Sequence, residues 1–158
     1  MSTDQKFTLV GPGVMAEAII TRLIEHGIVL ADKITAAGPR IERLKELEAK
    51  YRIKTNLNNA QAVQNVDVVL LCVKPQKLPD VFIDLKGQIP ENALVISIVA
   101  GATMESLIEG LNHPIVVRTM PNTPAQIGEG MTVWTKSSQT SPQQHHLAQQ
   151  ILKALGEE

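Results

Sequence analysis

The scarcities of this 158-residue chain narrow its possibilities first. Cysteine occurs once, at Cys72, so there is no disulfide framework. Aromatic residues make up 3% of the chain, which argues against the base-stacking platforms of RNA-binding modules. A net charge of −1 implies neither a nucleic-acid surface nor an acidic tail. No apolar run approaches the ~20 residues that span a bilayer. The first residues are polar and a glycine turn arrives by position 11, so no signal peptide is read. The expectation is a reduced, cytoplasmic compartment, with no nucleic-acid and no membrane partner. What is present is ordinary: 44% apolar and 20% charged residues, at a length that suits one domain with a real core.

Against that background the N-terminus stands out. Phe7-Thr8-Leu9-Val10 is a short apolar, β-prone run leading into Gly11-Pro12-Gly13-Val14-Met15-Ala16, and an amphipathic helical pattern comes at once after it. This is the G-x-G-x-x-G/A fingerprint in strand–turn–helix context. Gly11 permits the tight turn, Gly13 lets a pyrophosphate approach the backbone, and Ala16 lets helix and strand pack closely. The helix N-terminus then offers free N–H groups and a positive dipole end to phosphates.

Strand and helix patterns alternate from there to the end. Met15, Ile19, Ile20, Leu23 and Ile24 recur at helical spacing and Gly27 is a C′ stop. A second strand is predicted over 33–37, broken by Gly38-Pro39, before a helix marked by Ile41, Leu44 and Leu47. A short third strand is predicted at 53–55. Residues 66–73 and 93–99 read as strands buried on both faces. A helix with Leu78, Val81 and Leu85, closed by Gly87, separates them. A helix over 104–111 and a strand over 115–119 come next, then a loop over 120–130 and a last strand over 131–135. Ser141-Pro142 starts a final helix with Leu147, Ile151, Leu152 and Leu155 on one face and Gly156 at its stop. The predicted fold class is α/β: Rossmann-like and doubly wound, a mostly parallel sheet with helices on both faces.

The second strand ends Thr35-Ala36-Ala37-Gly38, without the acidic residue that an NAD ribose wants. Arg40 comes directly after it and Arg43 lies one turn on. A missing carboxylate beside a guanidinium suits a 2′-phosphate. The reading is NADP over NAD, with NAD left open, and with Arg40 ahead of Arg43 as the phosphate ligand. The alternative is that both arginines are solvated helix residues.

Three more segments sharpen the picture: Val73-Lys74-Pro75-Gln76, Ser97-Ile98-Val99-Ala100-Gly101, and Arg118-Thr119-Met120-Pro121-Asn122-Thr123-Pro124 with Gly128 and Gly130 beyond. With Gly11-x-Gly13-x-Met15, in this order, they resemble pyrroline-5-carboxylate reductase over essentially the whole chain. That family makes proline by reducing a cyclic imine with NAD(P)H. The resemblance implies that Gly11, Gly13, Val14 and Met15 line the pyrophosphate and that Gly38, Pro39 and Arg40 sit by the adenosine ribose and its phosphate. It places Val73, Lys74 and Pro75 in the cofactor cleft, and Ala100 and Gly101 near the nicotinamide. Met120, Pro121, Asn122 and Thr123 would wall the nicotinamide and face the imino acid, with Asn122 and Thr123 as the catalytic pair that orients it.

Two departures stand out: Val14, where many relatives carry Asn or Gln, and Ala-Ala-Gly-Pro, where relatives often carry Ser-Asn-Arg. In the family a helical domain comes next, forming the homo-oligomer and much of the substrate pocket. The expectation is therefore that residues 1–158 are the cofactor domain alone, monomeric and poorly active in isolation.

Reducing an iminium needs little acid–base machinery, because the cofactor carries the chemistry. The sequence fits: it shows no Ser-His-Asp set, no paired carboxylates and no metal-ligand spacing. His145-His146 reads as a solvated pair, His26 and His113 as partners of helix-terminal carbonyls, Cys72 as core within a strand, and Met131 and Trp134 as core rather than cofactor contacts. Lys74 lies at a strand's carboxyl end, where open α/β sheets bind ligands. Arg118 is left between the sheet end and a carboxylate. Two other functions stay open: a related NADP-dependent reductase acting on another substrate, such as a deazaflavin or a hydroxy acid, and a non-catalytic dinucleotide-binding module.

Overall fold

The computed structural model describes residues 4–121 and 130–157. Strand β1 (Phe7–Val10) leads to helix α1 (Val14–Glu25), a 3₁₀ turn (Ala31–Lys33), β2 (Ile34–Ala37), α2 (Ile41–Tyr51) and β3 (Lys54–Asn56). Next come α3 (Asn59–Ala62), β4 (Val68–Leu71), a second 3₁₀ turn (Pro75–Lys77), α4 (Leu78–Leu85), β5 (Leu94–Ser97) and α5 (Met104–Leu111). Strand β6 (Val116–Pro121), β7 (Gly130–Lys136), α6 (Pro142–Lys153) and β8 (Gly156–Glu157) complete the described chain. The 8-stranded sheet runs β3-β2-β1-β4-β5-β6-β7-β8. Its first six strands are parallel and take the doubly wound order, with the reversal between β1 and β4. Strand β7 is antiparallel to β6, and β8 is parallel to β7.

Side-chain alternation sorts the core into two layers. Phe7, Leu9, Val68, Leu70, Leu94 and Ile96 face a cluster built from α1, α2 and α6. Val10, Val69, Leu71 and Val95 face the other, where α4 and α5 supply Val81, Leu85, Leu107 and Leu111. Thr8 is the polar member of this second face. Its hydroxyl donates to the Ala62 carbonyl at 2.6 Å, which ties α3 to the central strand.

Local signals place the helix ends where the sequence predicts. Gly27 takes φ +65° after α1, and the Ile28 amide returns to the Leu23 carbonyl at 3.0 Å to close the turn. Ser141 and Gln144 cap α6 reciprocally, with Pro142 in its first turn.

Several expectations need correction. Lys33 belongs to a 3₁₀ turn rather than to β2. Helix α3, absent from the sequence reading, forms because the Asn58 side chain accepts the Gln61 amide. Met120 and Pro121 extend β6 instead of opening a loop. They pair with Val133 and Thr132 of β7 beyond the end of β5, where proline leaves no ladder bond unmade on the β5 side. Gly130 likewise begins β7. Helix α6 stops at Lys153. Leu155 is buried beyond it, and Gly156 starts β8 at φ +129° instead of capping the helix.

Candidate functional site

The carboxyl ends of the parallel strands are laced together by main-chain bonds. The Gly11 amide donates to Ala37 at 3.0 Å, Gly38 to Asn56 at 3.2 Å, Cys72 to Val10 at 2.8 Å and Ile98 to Leu71 at 3.0 Å. Above this lacing, where the strand order reverses between β1 and β4, lies a cleft of ≈ 640 Å³. Its position is the crevice in which open α/β sheets take ligands. Its floor is the glycine turn, Gly11 to Gly13; one wall is Gly38, Pro39 and Arg40; the other is Cys72, Val73 and Lys74.

The glycines of this floor have different reasons to be there. Gly11 sits at φ +93°, and a Cβ would lie 2.6 Å from Val73 Cγ1 and 2.9 Å from its amide nitrogen. Gly38 is pressed against Pro12, whose Cδ would be 2.5 Å from a Cβ. Gly13 is different: its φ of −91° is open to any residue, and a Cβ there would meet nothing within 4 Å. Neither conformation nor protein packing requires glycine at 13, so the space above it is available to a ligand. No side chain caps α1, so its first-turn amides lack both intrahelical and side-chain acceptors beside that space. This arrangement fits a pyrophosphate.

The cleft also has a flank that sequence reasoning missed. Leu57, Asn59, Lys77, Asp80, Val81 and Asp84 line it. Asn59 donates to Asp84 at 3.1 Å, while its own Oδ1 is buried without a partner. The signal is topological: β3 lies beside β2 in the sheet, so the segment leaving β3 borders the same crevice.

Residues 6–101 match the family described as NADP oxidoreductase, coenzyme F420-dependent. The chain belongs to that family. This NADP oxidoreductase family member is also 36% identical over 148 residues to a pyrroline-5-carboxylate reductase of Synechocystis sp., an alignment covering 94% of this chain and 55% of the relative. A solved pyrroline-5-carboxylate reductase of Coxiella burnetii superimposes with a TM-score of 0.92 at 31% identity, covering 98% of this chain and 58% of that one. A Plasmodium falciparum pyrroline carboxylate reductase solved with NADP bound shares the fold, with a TM-score of 0.86 at 21% identity over 99% of this chain and 57% of that one. The chain thus spans a little over half the length of the relatives it matches.

Within this family member, Gly11, Gly13, Gly38, Pro39, Arg40, Val73 and Lys74 meet in the one cleft. Val14, Met15, Pro75, Ala100, Gly101 and Met120 do not line it. Val14 is exposed at the start of α1, and Met15 leans on the core. Pro75 is exposed and opens the 3₁₀ turn. Ala100 and Gly101 are exposed past β5, and Met120 is exposed on β6. Asn122 and Thr123 lie outside the described residues.

Other side chains depart from expectation. Cys72 packs against the core as expected but stands just past β4, half-buried and bordering the cleft, and burial pushes its thiol up to about 12. His113 does stand at a helix end, one residue past the cap of α5 with its amide on the Ile108 carbonyl at 3.1 Å, but its buried ring pairs with the Ala93 carbonyl at 2.7 Å rather than with a helix-terminal one, and burial lowers its pKa. His26 meets Arg22 at 3.0 Å. His146 is exposed as expected, whereas His145 is half-buried, its ring tilted against Trp134 with centroids 5.0 Å apart. Arg118 has its Nε buried without a partner. Among the described residues, no group of three or more His, Cys, Asp or Glu could hold a metal ion, and no helix is long and apolar enough to cross a membrane.

Arg43 is not a free phosphate ligand. It is held below the turn by Glu17, which also accepts from Lys50 at 2.9 Å and from the Tyr51 hydroxyl at 2.9 Å. Lys50 first, then Arg43 and Tyr51, hold the Glu17 carboxyl at about 2 against the opposing pull of burial. With its folded pKa below the ordinary 4.5, Glu17 contributes stability that is complete above pH 4.5 and is lost as pH falls towards 2. Full linkage would give roughly 3 kcal/mol; allowing for solvent screening of the exposed Lys50 leaves about 2 kcal/mol. Glu17→Gln is therefore expected to lower stability at pH 7 by about 2 kcal/mol and to flatten the loss between pH 4.5 and 2, read by urea denaturation across that range. A wild-type slope in the variant would remove Glu17 from the account.

Proposed function

We propose that this chain is the cofactor-binding part of an NADPH-dependent reductase that converts 1-pyrroline-5-carboxylate to L-proline. The observation that carries the cofactor reading is the open space over Gly13, bounded by unpaired helix amides and flanked by Arg40. The substrate rests on the similarity to pyrroline-5-carboxylate reductases along nearly the whole chain. When bound, NADPH supplies a hydride to the imine carbon while a proton completes the nitrogen.

The residues of this chain bind and orient. The first turn of α1 takes the pyrophosphate, the Gly38 turn takes the ribose, and Arg40 takes the 2′-phosphate through its fork. Lys74 and Lys77 add positive charge at the rim. Ala100, Gly101 and Met120 lie beyond the cleft on the nicotinamide side, with Asn122 and Thr123 as the pair that orients nicotinamide and imine. The rest of the imino-acid pocket and the homo-oligomer would come from a further helical domain of the cytoplasmic enzyme. On this reading residues 1–158 alone bind cofactor as a monomer and turn over poorly.

Calorimetric titration with NADPH and NADH tests the assignment. Arg40→Ala is expected to weaken NADPH by roughly tenfold, the worth of one charged phosphate contact, and to leave NADH unchanged. Equal affinity of the wild type for both cofactors would overturn the 2′-phosphate role. The coenzyme F420 in the family's description favours one second reading, a deazaflavin as the other hydride partner. Assays of a longer chain with either substrate separate the two.

A further inference from the structure

The far side of the glycine turn carries a contact that the cleft itself does not explain. Arg43, on α2, donates from Nε to the Pro12 carbonyl at 2.8 Å and from Nη2 to the Gly13 carbonyl at 3.2 Å. The same Nη2 meets Glu17 Oε2 at 2.6 Å, and Nη1 meets Glu46 Oε2 at 2.8 Å. Every nitrogen of the guanidinium thus has a protein partner, and four of its N–H groups are spent on the turn and on the two carboxylates.

Peptide geometry turns this contact into an orientation. In a trans peptide, C=O and the next N–H point in opposite directions. The Gly13 carbonyl accepts the first helix bond of α1 from the Glu17 amide at 3.1 Å, and Arg43 is a second donor to it; the two together turn the Val14 amide the other way, and Val14 begins the helix that borders the open space over Gly13. The same contact draws the negative ends of two peptide dipoles onto a cation, away from any anion above the turn. We propose that Arg43 is a positioning residue for the cofactor pyrophosphate: it holds the Pro12 and Gly13 carbonyls on the far side of the turn and so presents the amide face to the cleft. The inference rests on the reading of the cleft as an NADPH site.

The role is geometric rather than Coulombic. Arg43 and Lys50 are matched by Glu17 and Glu46, so the cluster brings no net charge to the phosphates. Only a planar fork reaches two carbonyls and two carboxylates together; a lysine offers a single point of charge on a flexible stem. Charge-conserving Arg43→Lys therefore separates the two explanations.

The test is calorimetric titration of the full chain with NADPH and, separately, with adenosine 2′-monophosphate. The second ligand occupies the ribose wall but lacks the pyrophosphate. Wild type, Arg43→Lys and Arg43→Gln are compared well below their melting temperatures. Both variants are expected to bind NADPH roughly tenfold more weakly, the worth of an oriented hydrogen bond to a charged group, and to keep their affinity for adenosine 2′-monophosphate. NADPH binding by Arg43→Lys at wild-type strength would make the residue a mere charge and overturn the proposal. Equal losses for both ligands would make it a general support of the fold and overturn it too. If Arg43→Gln does not fold, Arg43→Lys decides alone. A wild type that binds neither ligand removes the cleft reading itself, an outcome visible before any variant is made.

Discussion

Gly13→Asp is expected to leave the protein at least as stable as it is now and unable to hold NADPH. Gly13 is the N-cap of α1, with φ −91° and ψ −164°, a conformation that aspartate adopts freely. Aspartate is among the best N-cap residues, and its carboxylate can accept the first-turn amides that no side chain now satisfies. A Cβ meets no protein atom within 4 Å, so packing offers no resistance. Thermal melting should therefore shift upward by the equivalent of about 0.5 kcal/mol. The same carboxylate occupies the space assigned to the pyrophosphate, takes its amides and repels its charge. Affinity for NADPH should fall by at least about a hundredfold, from sterics and like-charge repulsion together. Unchanged NADPH binding in a well-folded variant would place the cofactor elsewhere and end the assignment of this cleft.

Two residues earlier the outcome reverses. Gly11→Ala puts a methyl group 2.6 Å from Val73 Cγ1, and, less forgivingly, 2.9 Å from the Val73 amide nitrogen and 3.0 Å from the Cys72 carbonyl carbon. Both of those are backbone atoms at the exit of β4, and the φ of +93° is strained for alanine before any contact is counted. The expected cost is about 3 kcal/mol, a fall in melting temperature on the order of 10 °C for a chain of this size. Circular dichroism melts read it directly. A loss below about 0.5 kcal/mol would mean that β1 and β4 can part without penalty, against the lacing seen at their ends. Together the substitutions separate a glycine that the fold needs from one that only a ligand needs.

How much of this the sequence shows depends on the range of the interaction. The turn from β1 into α1 is local chemistry, and the glycines with the helical period beyond them display it fully. The buried strands β4 and β5 are equally plain, because parallel strands covered on both faces read as unbroken apolar runs. Helix α3 is hidden because Asn58 and Asn59 are common turn residues, and only the Asn58 cap turns them to helical use. Met120 and Pro121 read as loop because proline breaks strands in general; they are strand here because one side of β6 is unpaired beyond β5. Leu57 and Asn59 become cleft residues only once the strand order is known. Arg43 is the extreme case: Glu46 is its neighbour one turn along α2, but Pro12, Gly13 and Glu17 belong to the β1–α1 unit 26 to 31 positions earlier, and a one-dimensional reading sees only a charged helix face.

The contact between Pro12 and Gly38 bears on how this cleft could be redesigned. A residue larger than glycine at 38 would strike the proline ring, so the turn after β2 is locked to the turn after β1 at that point. Pro39 and Arg40 carry no such constraint toward the turn, and Arg40 is exposed. A protein engineer exchanging one nicotinamide cofactor for another therefore has a narrow editable window at these two positions. On the proposed reading of the cleft, an acidic substitution there is expected to trade a phosphate for a pair of ribose hydroxyls without disturbing the Gly11–Gly13 turn.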